Sequence, residues 1–386
     1  MAERTEVLRA LRAQRIETPS WAYGASGTRF KVFPQPGLPR DPFEKIEDAA
    51  LVHQLTGVAP SVALHIPWDR VEDYPALARH AADHGLSLGA VNPNLFQDDA
   101  YRLGSLCNPD PAVRAKAVAH LVECIDVMDA IGSTDLSVWL ADGLNYPGQD
   151  DLSARQDRLA EGLAAAYARL GPGQRMLLEY KFFEPAFYAT DVPDWGTSLA
   201  HCLALGPQAM VLVDTGHHAP GTNIEFLVAL LLRAGRLGGF HFNSRFYADD
   251  DLMAGAADPF QLFRIMTEVT RPGTDTSAVA FMLDQCHNVE EKVPALIRSV
   301  MNVQEATAKA LLVDRDALAA RQGAGDVLGA YAVLKDAYDT DVRPLLGELR
   351  ADLGLDPDPL AAYERTGHRE RVRAERVGGA PAGWGA

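Results

Sequence analysis

The sequence predicts an α/β protein with the (β/α)8 architecture of a TIM barrel, followed by an additional C-terminal α-helical extension. Eight short apolar runs recur between residues 19 and 284, and seven of them are followed by a helical pattern before the next run begins. Alternation of this kind favours a parallel sheet, and eight repeats favour a closed barrel. Polar or aromatic residues gather where the runs end, which is the rim where active sites of this fold lie.

The elements follow from local patterns taken in chain order. The predicted strands are apolar, often β-branched runs with Gly, Asn or Asp close by, and they span 19–23, 61–66, 86–92, 135–140, 176–180, 211–214, 238–243 and 278–284. The helices predicted between them span 44–55, 74–84, 111–131, 151–170, 197–205, 223–233 and 259–269. The third of these has the clearest start, because Asp110 suits the N-cap and Pro111 the first helical position.

The predicted domain organisation has four parts. An N-terminal helix occupies 1–17, the barrel with its metal site 18–295, the helical extension 296–355, and a flexible tail 356–386. The tail is expected to fray because it is rich first in Arg and Glu and then in Gly, Ala and Pro.

Composition limits the classes of function. With 386 residues, 47% of them hydrophobic, the chain is long enough for a large core. Its net charge of −16 disfavours nucleic-acid binding, because an acidic surface repels phosphates. Four cysteines without CxxC spacing favour reduced thiols in a cytoplasm. The N-terminus has no apolar signal core, and no apolar run approaches about 18 residues, so no membrane span is predicted.

Four neighbouring strand ends predict a metal site. In barrel order, strands five to eight offer Glu179, Asp214, His241 and Asp284. Three carboxylates and one imidazole favour Mn²⁺, Mg²⁺ or Co²⁺, with Zn²⁺ as an alternative. Each residue alone has a structural explanation: Glu179 as a surface ion pair, His241 as a core histidine and Asp284 as a helix cap. The order of the four along adjacent strands is what favours a metal.

The loops supply a candidate second site. His217, Asp249 and Asp251, with a bridging Asp214, would hold a second cation close to the first. Two close cations clamp paired oxygens of a substrate. A solvated acidic loop is the competing explanation for residues 249–251. Without cations, so many carboxylates together are disfavoured by repulsion and desolvation.

Further rim residues suggest substrate contacts. Lys181 lies two residues after Glu179, on the same face of the strand, where it would stabilise a substrate oxyanion or pair with Glu184. His65 with Asp69 would form an oriented acid–base pair, or a satisfied interior histidine. Four aromatic residues would form an apolar wall over the rim or part of the core: Trp21, Trp68, Phe96 and Trp139.

Seven segments at the strand ends are shared with a known family. They are 21–30 (WAYGASGTRF), 65–69 (HIPWD), 179–181 (EYK), 214–217 (DTGH), 241–243 (HFN), 249–251 (DDD) and 284–287 (DQCH). Over about residues 15–350 the chain resembles L-rhamnose isomerases of the bacterial, broad-specificity type. These belong to the xylose isomerase-like barrels, use two divalent cations, commonly Mn²⁺, and form homotetramers.

The resemblance implies a role for each matching residue. Glu179, Asp214, His241 and Asp284 would bind a structural cation. Asp214 would bridge to a catalytic cation completed by His217, Asp249 and Asp251. Lys181 would hold the substrate oxygen O1, and His65 would assist ring opening. Trp21, Trp68, Phe96 and Trp139 would line the sugar site.

The predicted function is interconversion of L-rhamnose and L-rhamnulose by a metal-assisted hydride shift from C2 to C1, with related sugars such as D-allose or D-psicose as further substrates. Proton transfer through an enediol is the rival chemistry. A ketose 3-epimerase on the same barrel is the second enzyme hypothesis. A metal-dependent phosphodiester hydrolase of DNA ends and a non-catalytic sugar-binding barrel complete the alternatives.

Overall fold

The computed structural model describes residues 4–26, 31–33, 35–184, 188–247, 250–286 and 289–377. Eight parallel strands close into a barrel in the order β1-β10-β9-β8-β5-β4-β3-β2, which confirms the predicted fold class. The barrel strands are β1 (Glu17–Pro19), β2 (Ser61–Ile66), β3 (Ser87–Pro93), β4 (Asp135–Val138), β5 (Arg175–Glu179), β8 (Ala209–Asp214), β9 (Leu237–Phe242) and β10 (Ala280–Leu283). A short antiparallel hairpin, β6 (Phe183–Glu184) and β7 (Tyr188–Ala189), follows β5.

A helix separates each barrel strand from the next. These helices are α2 (Pro42–Thr56), α3 (Tyr74–Asp83), α4 (Pro111–Ile131), α5 (Leu152–Tyr167), α6 (Trp195–Leu205), α7 (Ile224–Arg233) and α8 (Pro259–Val269), and α9 (Lys292–Leu311) follows the last strand. Most begin at an Asp or Asn whose side chain accepts a backbone N–H of the first turn; Asp110 does so for α4. The main core lies between the outer faces of the strands and these helices.

A second, smaller apolar cluster fills the inside of the barrel. Its buried members are Trp21, Ala63, Ala90, Leu177, Leu212 and Met282. The cluster closes the barrel below its carboxyl rim, because inward-facing side chains of alternate strands stack in layers in this fold. It forms the floor beneath the candidate site.

The first strand lies earlier in the chain than predicted. It spans Glu17–Pro19, whereas the sequence predicted 19–23, and Trp21 belongs to the short 3-10 helix Ser20–Ala22. The side chain of Glu17 is half-buried, and it accepts hydrogen bonds from the hydroxyl of Ser61 and, at 3.0 Å, from the backbone N–H of Ala90. An inward-facing carboxylate does not show as an apolar run, so the pattern placed the strand too late.

The extension beyond the barrel contains α10 (Arg315–Gly323), α11 (Val327–Asp339) and α12 (Arg343–Asp352). Pro344 lies in the first turn of α12, and α10 was not predicted as a separate helix. The N-terminal helix α1 (Arg4–Arg12) packs its Val7 and Leu11 against α12. Helix α1 thus shares one small apolar cluster with α9 and α12.

The prediction of a flexible tail is wrong for the part of the tail that the structure describes. Helices α13 (Pro359–Arg365) and α14 (His368–Glu375) lie within it. Arg376 forms a two-point ion pair with the buried carboxylate of Asp48 on α2, with N–O distances of 2.8 and 2.9 Å. His368 approaches the same carboxylate to 3.1 Å. Arg376 and His368, whose charge suggested a solvated tail, therefore hold the tail against the barrel. Residues 378–386 lie outside the described part of the chain.

Within the described residues, no helix combines the length and apolarity needed to cross a membrane.

Candidate metal and sugar site

Four side chains from adjacent strands converge at the carboxyl rim. Glu179 ends β5, Asp214 ends β8, His241 lies near the end of β9, and Asp284 directly follows β10. Each offers one ligand atom, and these atoms all lie within 4.8 Å of one another. The parallel order of the strands brings together residues that are far apart in sequence.

The donor set fits a divalent cation. The Nδ1 atom of His241 lies 3.1 Å from a Glu179 oxygen and 3.4 Å from an Asp284 oxygen. This buried nitrogen makes no hydrogen bond of acceptable geometry with any residue that the structure describes. Buried polar atoms in folded proteins rarely lack a hydrogen-bond partner. Three carboxylates and an imidazole around one point form the oxygen-rich set that hard divalent cations prefer.

The pKa values of the four side chains show the charge repulsion and burial cost that a bound cation would reduce. Burial, together with the charges of Glu179 and Asp284, raises the pKa of Asp214 to about 7. Burial alone would also raise the pKa of Glu179, but the nearby imidazoles of His241 and His217 outweigh it and hold that pKa at about 2. Burial opposes protonation of His241, yet the surrounding carboxylates raise its pKa to about 9. Without a cation, protons on Asp214 and His241 partly neutralise the cluster.

Neighbouring groups fix the orientation of these side chains. The amide nitrogen of Asn243 donates to both oxygens of Asp214, at 3.0 and 3.1 Å, and the backbone N–H of Gly216 donates to one of them at 2.6 Å. The indole N–H of Trp21 donates to Asp284 at 2.9 Å. Such partners commonly orient metal ligands. Asn243 was missed as a site residue, although it lies in the HFN segment.

The candidate second site is described only in part. His217 places Nδ1 at 2.9 Å from a Glu179 oxygen and Nε2 at 4.0 Å from an Asp214 oxygen. Asp251 lines the same cavity, with a left-handed backbone at φ 50°. Asp249 lies outside the described residues, so the full set with His217 and Asp251 stays a prediction.

A cavity of about 360 Å³ opens above the cluster. All six residues predicted to contact substrate line it: Trp21, His65, Trp68, Phe96, Trp139 and Lys181. So do seven residues that were not predicted as site residues: Asn92, Pro93, Ser137, Ala141, Glu184, Tyr188 and Cys286. Ser137 carried no signal in the sequence, because a serine inside a short apolar strand is common. The volume suits a single monosaccharide.

Lys181 forms an ion pair at the wall of the cavity. Its ammonium lies 2.9 Å from a Glu184 oxygen, which is the ion pair that the sequence offered as the competing explanation. The same nitrogen lies 5.1 Å from the centre of the Trp139 ring and lines the cavity. The ion pair therefore holds a positive charge at the cavity wall.

The predicted acid–base pair of His65 and Asp69 is wrong. The carboxylate of Asp69 accepts from the backbone N–H of His65 at 2.7 Å, from Lys45 at 2.6 Å and from the hydroxyl of Ser20, so it does not orient the imidazole. The ring of His65 instead stacks on Trp68, with 3.7 Å between centroids. Four residues of chain separation suggested side-chain contact, but the carboxylate turns back to the backbone and to the helix α2.

Comparisons with known proteins agree with the fold. A family model described as a xylose isomerase-like TIM barrel matches residues 55–287. A probable sugar isomerase from Rhizobium meliloti is 45% identical over 378 residues, which cover 96% of this chain and 88% of that protein. A xylose isomerase from Thermus thermophilus is 31% identical over 246 residues, covering 56% of this chain and 62% of that protein.

A solved structure of an L-ribulose 3-epimerase has the same fold. It superposes with a TM-score of 0.51 at 20% sequence identity and covers 84% of this chain and 97% of its own. The probable sugar isomerase match spans nearly the whole chain, and the family model covers more than half of it. The chain therefore belongs to the xylose isomerase-like TIM-barrel family.

Proposed function

We propose that this protein is a divalent-metal-dependent aldose–ketose isomerase that interconverts L-rhamnose and L-rhamnulose by a hydride shift between C2 and C1, with activity on related sugars. One observation carries the proposal: the quartet of Glu179, Asp214, His241 and Asp284 lies beneath a monosaccharide-sized cavity with an ammonium group on its wall. The name of the 45% identical relative, a probable sugar isomerase, supports the reaction class. The seven motifs shared with L-rhamnose isomerases support the particular sugar.

The chain supplies a charged group for the reacting oxygens. Lys181 is held by Glu184 and lies above Trp139, so its ammonium has a fixed position with few rotational alternatives. Placed against O1 of the open sugar, it would donate a hydrogen bond to the oxygen that gains negative charge as the hydride arrives at C1. A preorganised donor of this kind stabilises the transition state more than the ground state.

His65 is suited to ring opening. Burial, together with the charges of Lys45 and His120, holds its pKa well below the ordinary value, so the ring is neutral at physiological pH. Its Nδ1 atom makes no hydrogen bond with any described residue. A neutral imidazole with an available nitrogen can take the proton of the anomeric hydroxyl and return a proton to the ring oxygen.

The aromatic wall keeps water from the reacting carbons. Phe96 lies 5.0 Å from Trp139 and 6.1 Å from Trp68, centroid to centroid, so these rings form a continuous apolar surface. When bound at the acidic cluster, divalent cations would polarise the oxygens on C1 and C2 and stabilise the charge that develops there. A dry cavity strengthens each of these electrostatic interactions.

The test is turnover of L-rhamnose by the wild-type protein after chelation and after Mn²⁺ is added back, beside Lys181→Met and the surface control Lys335→Met. We expect chelation to abolish turnover, Mn²⁺ to restore it, and Lys181→Met to remove turnover while keeping bound metal. A fully active metal-free protein, or an active Lys181→Met, contradicts the proposal. In deuterated water, full solvent label at C1 would exclude the hydride shift.

A ketose 3-epimerase is the second candidate. One observation favours it: the carboxylates of Glu179 and Asp284 lie 3.1 and 3.4 Å from the same nitrogen of His241. Two carboxylates beside a single cation would be enough to remove a proton from the sugar and return one. Incubation of the Mn²⁺-loaded protein with L-ribulose and D-psicose separates the two activities. Epimerised ketose without any aldose would favour the epimerase.

The native cation and the assembly also remain part of this proposal. The resemblance supports Mn²⁺ and a homotetramer. Metal analysis of the purified protein and light scattering on a size-exclusion column test them independently of activity.

A further inference from the structure

The cavity has two chemically different sides. The metal-ligand candidates come from β5, β8, β9 and β10, whereas the residues facing them come from β2, β3 and β4. The floor between the two sides is the interior apolar cluster defined above. Ser137 on β4 is paired in register with Leu177, a member of that cluster, and Ser137 lines the cavity. Its hydroxyl is a polar group in an otherwise apolar floor.

The hydroxyl of Ser137 is buried and unsatisfied. The residue is 1% exposed, and its Oγ atom makes no hydrogen bond with any part of the chain that the structure describes. The other fully buried serines of the barrel differ: Ser198, for example, donates to the carbonyl of Leu178 at 2.7 Å. A buried hydroxyl without a partner is destabilising, so a polar partner is expected from the cavity side.

A second donor without a described partner lies close by in the chain. Trp139 follows Ser137 by two residues, directly after the end of β4, and both residues line the cavity. The indole Nε1 of Trp139 also has no hydrogen-bond partner among the described residues. Its ring contacts Phe96 and lies beneath the ammonium of Lys181, which fixes its orientation. Ser137 and Trp139 thus bring two polar groups to the cavity from β4 and the residue that follows it, beside Lys181 and His217.

We propose that Ser137 and Trp139 form a hydroxyl-reading subsite, which binds hydroxyl groups of the sugar carbons that follow C1 and C2. The inference rests on the proposed function, because it requires a sugar held by its first two oxygens at the acidic cluster. Trp139 donates through Nε1, and Ser137 both donates and accepts. A sugar that lacks the matching hydroxyl leaves these buried groups unpaired, which is the strong form of discrimination between substrates.

The experiment compares L-rhamnose with its 3-, 4- and 5-deoxy analogues in wild type, Ser137→Ala and the control Ser198→Ala. In wild type we expect one analogue to lose at least about tenfold in kcat/KM. In Ser137→Ala, kcat/KM for L-rhamnose should fall to within about threefold of the value for that analogue. The kcat/KM for the analogue itself should be unchanged by the substitution. Ser198→Ala keeps the wild-type ratio, since the Ser198 hydroxyl donates to the carbonyl of Leu178 and does not line the cavity.

Equal losses for the parent and all analogues in Ser137→Ala, or no loss for any, overturn the inference, because a hydroxyl satisfied by water or acting in packing does not distinguish the sugars. Trp139→Phe removes the indole N–H and is tested by the same ratio of kcat/KM between L-rhamnose and its deoxy analogues. Dissociation constants from titration calorimetry on Mn²⁺-loaded protein repeat the comparison without turnover. If no sugar is isomerised but the binding ratios still shift in Ser137→Ala, the proposed reaction fails and the subsite stands.

Discussion

Replacing Asp214 with Asn is expected to stabilise the metal-free protein while removing its response to metal. The carboxylate of Asp214 is fully buried, and its pKa is raised from 3.8 to about 7. A pKa difference of about 3 corresponds to at most about 4 kcal/mol, since each unit equals 1.36 kcal/mol. Because the folded-state pKa is raised, this destabilisation is absent below about pH 4, grows between pH 4 and 7, and is complete above pH 7.

Glu179→Gln is the matched contrast, with the opposite sign. The pKa of Glu179 is lowered from 4.5 to about 2, because His241 and His217 stabilise its charged form against the effect of burial. Its carboxylate therefore contributes up to about 3 kcal/mol above pH 4.5, and this contribution is lost as the pH falls towards 2. Removing the charge should destabilise the metal-free protein at neutral pH. Both substitutions delete a metal-ligand candidate, so ligand loss alone does not explain opposite signs.

The assay is thermal unfolding, followed by circular dichroism, of wild type and both variants at pH 8 and pH 5, each in EDTA and in excess Mn²⁺. At pH 8 in EDTA, Asp214→Asn should melt several degrees above wild type and Glu179→Gln several degrees below it. In Mn²⁺ the wild type should gain stability by mass action, and both variants should gain much less. A less stable Asp214→Asn in EDTA at pH 8, or a full Mn²⁺ gain in either variant, would refute this reasoning.

Two further predictions concern groups around the site. Lys45→Met should cost about 3–5 kcal/mol in unfolding free energy, because it leaves the buried carboxylate of Asp69 without its cation. Lys335→Met, which removes an exposed ion pair, should cost about 0.5 kcal/mol or less in the same denaturant titration, and equal costs would contradict the expectation. Trp21→Phe should raise the Mn²⁺ dissociation constant about tenfold in calorimetry, because Asp284 loses its 2.9 Å donor. An unchanged constant would show that this bond does not position the ligand.

Much of the barrel was predictable because its elements are encoded locally. Helix α4 runs over Pro111–Ile131, as predicted, since Asp110 and Pro111 define its start and Gly132 its left-handed end. Strand β2 also has its predicted bounds, Ser61–Ile66, because its mostly apolar run lies between Pro60 and Pro67. Caps, prolines and apolar runs act within a few residues, so a single sequence shows them.

Contacts between distant residues were not predictable in the same way. Glu17 belongs to the first strand although it is charged, because Ser61 and Ala90 satisfy its carboxylate inside the barrel. The two C-terminal helices are held to the barrel by the ion pair between Arg376 and Asp48, which are 328 residues apart in the chain. In neither case does the sequence around one residue identify its distant partner.

By itself, the sequence determined the order of strands and helices, and the acidic and imidazole residues at four successive strand ends. Only the tertiary structure decided which atoms meet: that Asp69 serves Lys45 and the backbone rather than the imidazole of His65, and that Ser137 faces the cavity without a described partner. The physical reason is range. Secondary structure follows from neighbouring residues, whereas a hydrogen bond is directional and short, so its partner is set by how the whole barrel closes.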